Sequence, residues 1–264
     1  GKIQGKRTLK RHFSLNGAKK RKKDFIGQFF AVSFRPEDMR LIEGSPGRRR
    51  TFLDSILSTT DRNYAHSLHT YEQALKRINK LFELVREGVQ PRSVLQYWEM
   101  MLAKHGVYLQ EKRHDFFNFL RTVSFPFDFN IKYLISEINE EEIESHRDRA
   151  IAAGFLLKGP HKDDFQVLFA GKKLKDRDVS AFGSRGQQRL GVLWLKLGEL
   201  QFVEDVQKQK PIFLLDDIFS ELDEEAQNMV LELVNKYQTV ITTAHEETDT
   251  FLREKIDDLK VIKL

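Results

Sequence analysis

The spacing of apolar residues changes several times along these 264 residues, and each change predicts an element. From Tyr64 the apolar positions fall at Tyr64, Leu68, Tyr71, Leu75, Ile78, Phe82 and Val85, in alternating steps of four and three. That spacing puts one seam on a single helix, with Gly88 as C-cap and Pro91 ending the element. A second helical stretch, from about Ser93 to Leu120, carries Val94, Trp98, Met101, His105, Tyr108 and Phe116 at similar spacing. A short link between two such helices predicts an antiparallel hairpin that buries both seams. A seam of about three heptads favours this hairpin over a dimeric coiled coil, and His105 reads as a packed residue rather than a ligand.

Strand periods flank this pair. Lys6 to Leu15 alternates apolar with basic residues, Asn16-Gly17 marks a turn, and Phe29 to Phe34 follows, so a β-hairpin or small sheet is expected. Pro126 to Tyr133 alternates strictly, as a half-buried strand does, and Glu137 to Ala153 reads as a charged helix. Gly154 should return the chain to strands around Phe155 and Phe165 to Phe169, with Ala170-Gly171 turning a hairpin. Leu190 to Val203 is a strongly apolar helix. Ile212 to Leu215 and Val240 to Thr243 are short apolar runs that predict buried strands of a parallel sheet.

Composition narrows the class. The length suits one large domain or two smaller ones, and 40% hydrophobic residues with 21 Phe suffice for a core. With no Cys there is neither a disulfide framework nor a Cys-based zinc site, and the eight His show no H-E-x-x-H pattern. No apolar run approaches membrane-spanning length, and no secretory segment is visible. The net charge of +5 hides an asymmetry: residues 1–50 hold 15 Lys/Arg against 4 Asp/Glu, and the remainder is net acidic. The run Lys19, Lys20, Arg21, Lys22, Lys23 is dense enough to favour a nucleic-acid partner over a merely solvated face. Arg48, Arg49 and Arg50, at a loop-to-helix junction, fit phosphate contact or salt bridges to the acidic body equally well.

Candidate chemistry gathers in the last third. Ligands of parallel α/β sheets sit off the carboxyl ends of strands, where Asp216 and Asp217 end one run and His245 follows the next. One carboxylate there can hold Mg²⁺ and its neighbour can orient or deprotonate a water. The plain alternative is a strand capped by acids, with Asp223 as a helix N-cap. Ser184 can cap the Leu190 helix, Gly183 and Gly186 let backbone N–H groups approach an anion, and Arg185 adds charge.

Five stretches resemble the RecF family of ABC-type ATPases, in that family's order across nearly the whole chain. They are Gly44-Ser-Pro-Gly-Arg-Arg-Arg-Thr-Phe-Leu-Asp54, Gly159-Pro-His-Lys-Asp-Asp-Phe165, Gly183-Ser-Arg-Gly-Gln-Gln-Arg189, Leu214-Leu-Asp-Asp-Ile-Phe-Ser-Glu-Leu-Asp223 and Ile241-Thr-Thr-Ala-His245. The resemblance implies an α/β ABC-type ATPase head, a mostly parallel sheet flanked by helices, with an inserted helical arm lobe. The expected division is residues 1–50 for a basic part of the head, 51–124 for the arm, and 125–264 for the rest of the head. It implies Ser184, Gly186 and Gln187 in a signature motif against ATP, with Arg185 beside them, Asp216 on Mg²⁺, Asp217 as catalytic acid, Asp223 in a D-loop and His245 as switch histidine. The loop Phe34-Arg-Pro-Glu-Asp38 would sense the γ-phosphate unless it is a plain polar turn, and Gly159 to Asp164 would lie near the composite site unless Asp163 and Asp164 merely solvate a turn.

Further implications concern partners. An ATP-dependent homodimer would hold single- and double-stranded DNA at gaps, work with RecR and RecO, and load RecA, in the cytoplasm and away from membranes. The family's P-loop, G-x-x-x-x-G-K-[ST], has no match in these 264 residues. Gly1-Lys-Ile-Gln-Gly-Lys-Arg-Thr8 has its glycines one residue too close, and Gly44-Ser-Pro-Gly-Arg-Arg-Arg-Thr51 fails too. The chain is therefore read as a member lacking its N-terminal part, with weak ATPase activity expected once the P-loop is restored. The alternative reading is a non-catalytic DNA-binding or docking remnant; a transporter subunit fits the basic end and the Asp216–Asp223 run less well.

Overall fold

The computed structural model describes residues 12–21, 29–171, 174–256 and 258–262. β1 (Phe13–Leu15) pairs antiparallel with β2 (Ala18–Lys20). Asn16 and Gly17 turn between them at φ 50° and 79°, the left-handed values that a two-residue hairpin turn requires. β3 (Ala31–Phe34) leads through a 3-10 turn at Pro36–Met39 into the single turn α1 (Arg40–Glu43). α2 (Pro46–Thr60) starts on Pro46, whose missing N–H costs nothing there. The division expected after residue 50 falls inside this helix.

α3 (Arg62–Arg86) and α4 (Gln96–Leu120) form the arm hairpin. Asp61 caps α3 by accepting from the Asn63 N–H at 2.7 Å. β4 (Phe129–Leu134), α5 (Glu140–Ala153), β5 (Asp164–Gly171) and β6 (Leu174–Asp178) follow, and the three strands make an antiparallel sheet in that order. Phe155, expected in a strand, sits instead in an irregular turn. Gly154 ends α5 in a left-handed conformation, and Gly159-Pro160 breaks the chain before a ladder can form.

The chain continues through α6 (Val179–Phe182), α7 (Arg185–Gln207), β7 (Ile212–Asp216), α8 (Glu224–Val234), β8 (Thr239–Thr242) and α9 (Glu246–Lys255). β7 runs parallel between β3 and β8. Its Phe213 and Leu215 enter the core while Ile212 and Leu214 are half-buried. β8 was expected to be buried; it is half-exposed, with Val240 51% exposed, because it is the outer strand among the described residues.

α7 carries the middle of the core, burying Leu190, Val192, Leu193, Trp194, Leu195, Leu200 and Val203. Trp194 stacks on Phe129 at 5.8 Å, Phe202 meets the edge of Phe116 at 5.1 Å, and Phe117 meets Phe165 at 5.4 Å. Arm, antiparallel sheet and α7 therefore share apolar burial, each large side chain contributing roughly 1.5–3 kcal/mol. This explains a difference on α4. Trp98, Met101 and Tyr108, like Val94 in the turn before the helix, are only half-buried, whereas Leu102, Leu109, Arg113, Phe116, Phe117 and Leu120 are buried. α4 is covered by α3 on one side and by α7 and β4 on another, so its buried arc is wider than one seam.

Candidate functional site

β7 ends in the two acids the sequence singled out. Asp216 is exposed, and its Oδ1 accepts from Thr242 Oγ1 on β8 at 2.7 Å. Asp217 follows at φ 50°, a left-handed conformation uncommon for a residue with a Cβ. Its N–H donates to the Thr242 carbonyl at 3.0 Å, and the Asp217 carbonyl accepts from Ser220 Oγ at 3.0 Å. Those bonds hold the turn and bring the carboxylate toward the end of β8. There Asp217 Oδ2 lies 3.9 Å from His245 Nε2, and Oδ1 lies 3.5 Å from Thr243 Oγ1. His245 is extended just before α9, its N–H donating to Thr243 Oγ1 at 3.1 Å. Asp216, Asp217 and His245 thus share one solvent-facing edge at the carboxyl ends of neighbouring parallel strands.

A second surface is built around the start of α7. Ser184 and Gln187 form a reciprocal capping box: Ser184 Oγ accepts from the Gln187 N–H at 3.2 Å, and Gln187 Oε1 accepts from the Ser184 N–H at 2.9 Å. The first-turn N–H groups of Arg185 and Gly186 have no protein partner among the described residues. The positive end of a 23-residue helix and the exposed Arg185 face the same solvent. Asp223 caps α8 through the Ala226 N–H at 3.0 Å and also lies beside Gly186, where a Cβ would sit 3.7 Å from its Oδ2. The cap reading of Asp223 and its place beside the α7 start are therefore both present. A 3-10 turn at Phe219–Glu221, pinned by Gln227 Nε2 on the Phe219 carbonyl at 2.9 Å, joins Asp217 to Asp223.

The basic candidates divide. Lys19, Lys20 and Arg21 are exposed, on β2 and just after it; Lys22 and Lys23 lie outside the described residues. Arg48 is exposed on the first turn of α2. Arg49 is bound into the body: Nε and Nη2 grip Asp164 at 2.6 and 2.9 Å, and Nη1 reaches the Gly44 carbonyl at 2.6 Å. Arg50 Nη1 donates to the Asp163 carbonyl at 2.9 Å. Of the two readings of this triplet, attachment to the body describes Arg49 fully and Arg50 in part.

Sequence reasoning missed a buried polar hub. Asp163 is fully buried and accepts from Arg113 Nη1 and Gln110 Nε2, each at 2.9 Å, from the Ser136 N–H at 2.8 Å, and from the Tyr133 hydroxyl. Arg113 also reaches Asp54 at 2.8 Å and the Pro160 carbonyl at 2.8 Å. Burial pushes the Tyr64 and Tyr133 hydroxyls well above the ordinary phenol range. Asp163 and Asp164 therefore anchor the chain rather than solvate a turn. The available signal was an Arg in the apolar stretch of α4. Beside the hub, His161 is neutral. Nδ1 accepts from the Tyr71 hydroxyl at 2.8 Å, Nε2 faces the Leu156 carbonyl at 3.2 Å, and burial lowers its pKa to about 4.

No known family profile matches the chain. It is 32% identical to the DNA replication and repair protein RecF of Lachnospira eligens over 275 residues, spanning 98% of this chain and 74% of that protein. The RecF of Bacillus cytotoxicus is 33% identical, with 92% and 74% spanned, and that of Clostridium botulinum 30%, with 96% and 73%. Among solved structures, the recombination mediator protein RecF of the RecFOR pathway, bound to ATPrS, matches with a TM-score of 0.74 at 29% identity, covering 88% of this chain and 67% of that one. The ATP-bound RecF structure gives 0.74 at 28% identity, covering 89% and 67%. No described helix is long and apolar enough to cross a membrane.

Proposed function

Because the chain belongs to the RecF family of DNA replication and repair proteins, we propose that it works as an ATP-gated DNA clamp whose nucleotide site is shared between two copies. The observation that carries this reading is the meeting of Asp216, Asp217 and His245 at the ends of β7 and β8, with the capped start of α7 and Asp223 as a second anion-facing surface. The residues suit ATP, which the solved relatives hold, and a Mg²⁺ with it. Asp216 offers a hard oxygen donor for Mg²⁺, and no group of three or more His, Asp or Glu gathers among the described residues, so phosphates and water would complete the cation's shell. The free N–H groups of Arg185 and Gly186 suit phosphate oxygens. Bound there, the metal and the triphosphate supply the opposite charges that these two surfaces are arranged to meet.

Each residue then has a task. Asp217, held in its strained turn, orients and deprotonates the attacking water, and His245 steadies the terminal phosphate. Ser184, Arg185, Gly186 and Gln187 close on the nucleotide across the seam between the two copies, with Asp223 at the same seam. Lys19 to Lys23 and Arg48 meet DNA phosphates at single-strand/duplex gaps. RecO and RecR are the partners that the RecFOR relatives suggest, RecA loading the outcome, and the cytoplasm the place.

Light scattering on the protein translated from its whole reading frame tests this. The mass should double with ATP and Mg²⁺ and not without nucleotide. Ser184→Arg, which drives a long cation into the closing surface, should keep the protein monomeric. Asp217→Asn should still dimerise but turn over at least about 100-fold more slowly. Equal turnover would remove Asp217 from that role. A parent that stays monomeric throughout would favour the alternative, a DNA-binding or docking protein without nucleotide switching.

A further inference from the structure

A recess among the described residues lies apart from the edge at β7 and β8. α2, α3 and the 3-10 turn Pro160–Lys162 enclose about 410 Å³, lined by Arg50, Thr51, Tyr71, Lys76, Pro160 and His161 among others. That volume is in the class of pockets that hold one small ligand. The turn is firmly set: Gly159 has φ 128°, and a Cβ there would collide with the Tyr71 hydroxyl. The rim is basic. Arg50 uses Nη1 on the Asp163 carbonyl, and its other N–H groups have no partner among the described residues. Lys76 and Lys162 are exposed and without an ion pair among the described residues. The acids are fewer: Asp54 is held by Arg113 and Tyr64, which leaves Glu72 as the wall's unmatched carboxylate. His161 is neutral and adds no charge. Beside Lys162 lies an aromatic ring in the open. Phe155 is 44% exposed, and Lys162 Nζ stands 5.4 Å from its ring centroid.

We propose that this recess and its rim form a contact for single-stranded nucleic acid, with Arg50, Lys76 and Lys162 taking phosphates and Phe155 stacking on a base. The inference rests on the DNA-binding reading and gives its single-strand arm an address. Open cations around a concavity track a backbone, and an exposed aromatic accepts any base because every base has a π-face. Duplex DNA does not satisfy this surface: its bases are already stacked and cannot reach Phe155, and a double helix is too wide for a recess of this size. The hydrogen-bonded Tyr71–His161 pair and the Gly159 turn keep the wall rigid, so little ordering entropy is lost on binding.

The test measures fluorescence anisotropy of a labelled 20-nucleotide oligo-dT and a 20-base-pair duplex, on the protein from its whole reading frame. The variants are Phe155→Ser and the double variant Lys76→Gln/Lys162→Gln. All three side chains are exposed, and thermal melts verify that the fold is intact. Phe155→Ser should weaken oligo-dT binding about 5-fold or more. The double variant should lower the single-strand salt slope by about 1.4, roughly 0.7 for each phosphate contact. Duplex binding should stay within about 2-fold of the parent. A parent-like oligo-dT affinity and slope in both variants would overturn the inference while leaving DNA binding itself intact. Equal losses for duplex and single strand would make this a duplex surface and overturn it too. A parent that binds neither DNA would sink the DNA reading along with it.

Discussion

Arg113 shows how far a single residue governs this fold. Its guanidinium is buried and joins α2 through Asp54, α3 through Tyr64, and the 160–163 turn through Pro160 and Asp163. Desolvation opposes the charge, but the surrounding anions win, and its pKa lies well above the ordinary value. Arg113→Leu would leave Asp163 charged with no cation in a fully buried site. We expect a loss of about 3–5 kcal/mol, read as a lower urea midpoint at unchanged slope. A loss under 1 kcal/mol would show that the hub is not held by charge. His161 sets a pH dependence nearby. Its folded pKa of about 4 lies below the unfolded value of about 6.5, so the unfolded chain binds more protons between those limits. The stability tied to neutral His161 is fully present above pH 6.5 and is lost as pH falls toward 4. Thermal melts from pH 7 to pH 4.5 should therefore fall less steeply for His161→Gln than for the parent; parallel curves would contradict the assignment.

At the scale of elements, the arm hairpin depends on close approach. Gly106 lies on α4 where a Cβ would stand 2.6 Å from Ile138 Cγ2 and 3.2 Å from the Tyr71 ring. Elsewhere in a helix, Gly→Ala stabilises by about 1 kcal/mol. Here overpacking reverses the sign, and Gly106→Ala should destabilise by about 1–2 kcal/mol in chemical denaturation. A stabilised variant would mean that Ile138 moves aside freely. The same helix marks the limit of sequence reading. The α3 seam was legible because Tyr64, Tyr71, Ile78 and Phe82 are apolar or aromatic, buried, and repeat with one period. On α4 the buried set includes Gly106, Gln110 and Arg113, a small residue and two polar ones, because two sides are covered and the hub sits inside. No apolar period can reveal such residues. The Asp216–Asp217 turn and the Ser184 cap were legible for the opposite reason: strand ends and helix starts are written in local residue types. The distance between Asp163 and Arg113 in sequence hides a contact that only the fold makes.

The whole molecule carries its charge unevenly, and that yields the last prediction. The segment Lys19 to Lys23 holds five cations within residues whose first 50 are strongly basic, and Lys19, Lys20 and Arg21 are exposed. Phosphate contacts release counterions, so each one steepens the salt dependence of duplex binding by about 0.9. Replacing all five with Gln should flatten the slope by up to about 4.5. If two copies close on nucleotide, each bound particle presents two such segments, and ATP with Mg²⁺ should steepen the slope of the parent well beyond its nucleotide-free value. The neutralised variant should lose that nucleotide-dependent increment, yet dimerise normally by light scattering, because Lys19, Lys20 and Arg21 belong neither to the edge at β7 and β8 nor to the start of α7. This separates two properties of the molecule that a single affinity would merge. A slope that ignores nucleotide in the parent would mean that the basic ends do not act together. A variant that keeps its slope would move the duplex footprint off this segment, leaving Arg48 as the surface to examine.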